Sequence, residues 1–105
     1  MSKITPEFFA KAWGYEYTIC NTDKYCGKKL VMAKGQKTSS HYYKIKDKTY
    51  FVNSGKIEIV YSEPGEERNL FSKRYIIIDE GEAFHVPSGM FHKVRALETT
   101  DLLSK

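Results

Sequence analysis

The stretch Gly81-Glu82-Ala83-Phe84-His85-Val86-Pro87-Ser88-Gly89-Met90-Phe91-His92 decides how this chain folds. A glycine turn leads into a short strand, Ala83 to Val86. Pro87 ends the pairing, because it has no N–H to give to a sheet. Ser88-Gly89 then reverses the chain, with Gly89 free to take positive φ. A second strand starts at once with His92 at its mouth, so the segment sets one imidazole at a reproducible depth in a β structure.

Working outward, the same pattern repeats. Strands are expected over 15–21, 25–33, 41–45, 48–54, 57–61 and 70–78 before this stretch, and over 91–97 and 99–103 at and after its end. Lys34-Gly35-Gln36, Asn53-Ser54-Gly55-Lys56 and Asp79-Glu80-Gly81 are turn signals, and 62–68, with Pro64-Gly65 and its charges, reads as an exposed loop. The continuous apolar run closing 70–78 predicts burial on both faces. Thr5-Pro6-Glu7 reads as a helix start, with Thr5 as the cap and Pro6 at the first helical position. That helix stops by Gly14 and offers Phe8, Phe9 and Trp13 as an apolar face to the sheet or to a second subunit. Short strands separated by glycine turns describe a sandwich or barrel.

Composition sets the bounds. The 105 residues supply one domain, 1–105. Hydrophobic residues at 41% and charged residues at 29% suit a soluble globular chain, and 14% aromatics favour strands. Net charge is +4, but the lysines are scattered rather than blocked, which speaks against a nucleic-acid partner. No apolar run approaches the ~20 residues of a membrane span. Met1-Ser2-Lys3 has no apolar segment after it, so no signal peptide is read and a cytoplasmic location is expected. Cys20 and Cys26 flank a hairpin loop; two sulfurs are too few for zinc, and in a reducing compartment they read as small half-buried apolar residues.

A second glycine frame runs Gly35, five residues, His41, then Tyr43, Lys48 and Gly55. With Gly81, Pro87, Gly89 and His92 it resembles the two signature motifs of the cupin superfamily. In the first motif Tyr43 stands where a second histidine belongs and Lys48 where a glutamate belongs; in the second, Ala96 replaces an asparagine. Trp13-Gly14-Tyr15-Glu16, Tyr25-Cys26-Gly27-Lys28 and Arg95-Ala96-Leu97-Glu98 look like the small single-domain cupins related to mannose-6-phosphate isomerase. The resemblance implies an all-β, double-stranded β-helix, the cupin jelly-roll barrel, here with a short N-terminal helix.

What the resemblance implies for chemistry is altered by those replacements. The superfamily holds a divalent transition metal with three histidines and a glutamate. Here His41 and His92 remain as metal ligands, with His85 completing a trio if it faces inward. A phenol is a poor neutral ligand and an ammonium has no lone pair, so a metal is expected to be weakly held or absent. Lys48 supplies the single positive charge that a metal plus a carboxylate would leave, with the Tyr43 hydroxyl as its partner. The ligand implied is a sugar or sugar phosphate, with Tyr43, Lys28 and Glu16 as binding residues; alternatively Glu16 is structural, paired with a lysine on a neighbouring strand. The activity implied is aldose–ketose isomerisation, with His41 or His92 as base and Lys48 as electrophile, or Lys48 itself as base if burial lowers its pKa. The rival readings are a non-catalytic carbohydrate- or anion-binding cupin and a metal-dependent dioxygenase. A homodimer is expected.

Overall fold

The computed structural model describes residues 3–21, 26–38, 47–63 and 73–105. Among the described residues nine strands form two antiparallel sheets and there is no helix. The larger sheet orders β1 (Glu7–Lys11), β2 (Gly14–Asn21), β3 (Cys26–Met32), β9 (Thr100–Ser104), β4 (Lys48–Ser54) and β7 (Ala83–Val86). The smaller orders β6 (Arg74–Asp79), β5 (Lys56–Ser62) and β8 (Phe91–Ala96).

Alternation along the strands builds the core. Leu30, Met32, Tyr50, Val52 and Leu102 point from the larger sheet toward Ile57, Ile59, Ile78, Val94 and Ala96 of the smaller. The turn between β7 and β8 forms as its sequence requires, with Gly89 at φ 89°. Gly55, at φ 101°, closes the β4–β5 hairpin so tightly that a Cβ there would lie 2.5 Å from Thr100 Oγ1.

Two expectations are corrected. The segment read as a helix is strand β1, paired with β2 from Glu7↔Thr18 to Lys11↔Gly14. A helix this short has no stability of its own, whereas β2 offers an edge to hydrogen-bond and a row of rings to pack on. Phe8 sits 5.7 Å from Tyr15 and 5.4 Å from Tyr17, centroid to centroid. The apolar run of β6 is not buried on both faces: Ile78 is buried, but Tyr75, Ile76 and Ile77 are exposed. β6 pairs with β5 at the edge of a three-stranded sheet, so Ile78 alone of the run reaches the core, and Ile76 on the same face is left exposed beside it. The strand expected over 41–45 lies outside the described residues.

Candidate functional site

β4 presents Lys48, Tyr50 and Val52 to the interior in alternation, with Tyr50 and Val52 buried. Lys48 therefore faces inward. Its Nζ lies 5.6 Å from the centroid of the Tyr50 ring, a cation–π contact. Burial lowers its pKa from 10.5 to about 8; repulsion from the Lys28 ammonium adds to this, and Cys26 and Glu16 partly offset it.

Tyr50 links Lys48 to His92. The His92 side chain is buried, with Nδ1 3.3 Å from the Met90 carbonyl oxygen and Nε2 3.1 Å from the Tyr50 hydroxyl. A carbonyl only accepts, so Nδ1 carries the proton in the neutral ring. Nε2 is then the acceptor, and the Tyr50 hydroxyl donates to it.

Across the sheet the register runs Thr18↔Lys28, Lys28↔Ser104 and Tyr50↔Ser104. β9 thus places a serine between Lys28 and Tyr50. Ser104 is 2% exposed, and its Oγ has no hydrogen-bond partner. Beyond Lys28, Glu16 is 6% exposed and its carboxylate accepts from Lys11 at 3.0 Å and Lys28 at 3.5 Å. Glu16 is paired with lysines on both neighbouring strands, as its structural reading expects. A groove of about 800 Å³ opens over this end of the sheet, lined by Phe9, Lys11, Glu16, Thr18, Cys26 and Lys28 among others.

His85 does not join His92. Along β7, Val86 is buried and His85 is exposed, with Nε2 3.4 Å from Asp47 and Nδ1 3.5 Å from Thr49 Oγ1. Period-two alternation sends it to the outer face, so it does not complete a metal trio. Asp47 also accepts from the Ser88 amide at 3.0 Å and so braces the turn. His41 and Tyr43 lie outside the described residues.

Two residues of this site escaped the sequence reading. Tyr50 was signalled by its spacing, two positions after Lys48 on one strand. Ser104 had no such signal, because its place beside Lys28 depends on β9 inserting between β3 and β4.

The solved structures most similar in shape include the cupin domain of CENP-C from Drosophila melanogaster, at 14% identity and a TM-score of 0.78 over 94% of this chain and 73% of that one. KdgF from a Halomonas species matches at 17% identity and 0.73, over 93% and 83%. A cupin superfamily protein from Desulfitobacterium hafniense matches at 16% and 0.71, over 85% and 72%. The fold is that of the cupins. No family model and no curated protein matches the sequence.

Cupins as a fold invite a metal, and the described residues do not fit one. Among them no three or more His, Cys, Asp or Glu side chains converge. The Nε2 lone pair of His92 already accepts from Tyr50, and Lys48 brings an ammonium to the position the resemblance gives to a carboxylate.

Proposed function

We propose that this cupin binds a small anionic ligand, a sugar phosphate or sugar acid, in the barrel interior, with Lys48 as the charge that selects it. The observation that carries this reading is Lys48 on the inner face, desolvated and repelled by Lys28. An anion between the two ammonium groups relieves both costs. The Ser104 hydroxyl, buried without a partner, supports the same reading, since a bound oxygen would satisfy it.

Aldose–ketose isomerisation of that ligand is a second reading, favoured by the pKa of about 8 at Lys48. Roughly a tenth of the chains then carry a free amine at neutral pH, able to move a proton between adjacent carbons.

Calorimetric titration of phosphorylated and free sugars tests the first reading. The phosphorylated sugar binds more tightly, and Lys48→Met removes the preference. Near pH 8 binding takes up protons, because an anion raises the pKa of Lys48. A variant that keeps the preference would show that the selecting charge lies elsewhere. Conversion of aldose to ketose followed by NMR decides the second reading. For metal, elemental analysis is expected to find less than one transition ion per chain, and the double variant Tyr43→His, Lys48→Glu is expected to gain zinc or nickel affinity.

A further inference from the structure

A second basic site lies on the outer face of the smaller sheet, outside the barrel. Residues 35–38 run beside β8: the Gly35 amide donates to the Ala96 carbonyl at 2.8 Å and the Thr38 amide to the Val94 carbonyl at 2.9 Å. This places Lys37 opposite Arg95. Arg95 is also opposite Glu58, and Glu58 is opposite Ile77. In the next row outward, Lys93 is opposite Val60 and Val60 is opposite Tyr75. Lys73 precedes β6 at the same corner. Lys37, Lys73, Lys93 and Arg95 therefore surround one depression of about 370 Å³, with Glu58, Val60 and Tyr75 among its other walls.

The charge arrangement is unfavourable for folding alone. Like charges directly opposite on neighbouring strands destabilise a sheet, and Lys37–Arg95 is such a pair. Lys93 stands two residues from Arg95 on the same face, which adds to the repulsion. Several other lysines among the described residues have an acid at hand. Lys11 and Lys28 meet Glu16, Lys29 meets Asp101, and Lys56 meets Asp79. Among the described residues no ion pair is formed by any of the four cations around the depression.

We propose that this depression is an anion site for a small ligand carrying two or more phosphate groups. Among the described residues, four cations against the single Glu58 carboxylate leave a local excess that one phosphate does not neutralise. They are also spread over three segments, with Lys93 and Arg95 on β8, Lys37 beside it and Lys73 just before β6, roughly 5–7 Å from row to row, a spread that suits linked phosphates better than one. Arg95 offers the planar fork that suits phosphate oxygens, and the lysines act as point charges around it. Tyr75, 66% exposed, presents its ring to any flat group the phosphates carry. The concave, bounded shape favours a small molecule over an extended polyanion.

Titration of the full chain with tripolyphosphate at ~0.1 M salt tests this, since exposed charges are not fully screened there. Binding at one site per chain is expected. The double variant Lys93→Ala, Arg95→Ala should weaken it about tenfold or more. Lys37→Ala, at an exposed position, should weaken it as well and gives the same readout if the double variant fails to fold. Lys48→Met should change affinity less than twofold, which separates this site from the barrel interior. Absence of binding, indifference to Lys37, Lys93 and Arg95, or loss in Lys48→Met would each overturn the proposal. A single-stranded oligonucleotide that displaces tripolyphosphate, and binds more tightly as it lengthens, would also overturn it and make this face a nucleic-acid track.

Discussion

Among the described residues two clusters of positive charge stand out, and they differ in how the fold treats them. On the inner face of the larger sheet, Lys11 and Lys28 share the Glu16 carboxylate, while Lys48 is pushed down to a pKa of about 8 by burial and by Lys28. On the outer face of the smaller sheet, Lys37, Lys93 and Arg95 stand in or near water with no acid bound to them among the described residues. The difference is one of dielectric. Inside, a charge must be paired, neutralised or bound to a ligand, because its desolvation is costly. Outside, water and salt tolerate like charges at a modest cost.

The largest effect expected from this contrast is the pH dependence of Lys48. Its folded pKa of about 8 lies below its ordinary 10.5, so between those values the unfolded chain holds a proton that the folded chain has lost. Stability therefore rises with pH across that window. Below it the buried ammonium costs its full amount, up to about 3 kcal/mol. Lys48→Met should be the more stable protein at neutral pH, with the gap narrowing toward pH 10.5. Urea denaturation across neutral and alkaline pH would show this, and parallel curves for the two proteins would break the comparison.

A smaller loss is expected from Tyr50→Phe, which removes the hydroxyl that donates to His92 Nε2 in a buried setting. The cost should be about 1–3 kcal/mol, the range for a buried polar atom that loses its partner. The imidazole resonances should shift in the NMR spectrum; an unchanged spectrum and midpoint would mean that the hydrogen bond contributes nothing.

The smallest effect belongs to the outer cluster. Lys93→Ala with Arg95→Ala should move stability by no more than about 0.5 kcal/mol, in the stabilising direction if repulsion dominates. Added salt should raise the melting temperature of the parent more than that of the variant, since only the parent has like charges to screen. A large loss would show these side chains to be structural and would erase the distinction between the two faces.

Local chemistry was legible in the sequence. The Gly81–His92 stretch turns as its residues demand, because Pro87 cannot pair and Gly89 accepts a positive φ that side chains resist. β4 and β7 fall where their alternation places them, and Glu16 meets its lysines, since a buried carboxylate requires them. Period two and turn geometry are properties of a few consecutive residues, so a sequence displays them directly.

Tertiary structure decided the rest. Residues 7–11 satisfy a helix start as well as an edge strand, and only the open side of β2 with its tyrosines selected the strand. The apolar run of β6 names no cover for its second face; its position at a sheet edge left Tyr75 and Ile77 in solvent. His85 points outward because β7 pairs with β4 in a register that sends Val86 to the core. Ser104 meets Lys28 and Tyr50, and Lys37 meets Arg95, across separations of more than 50 residues along the chain. Such contacts follow from strand order and register, and no stretch of consecutive residues contains them.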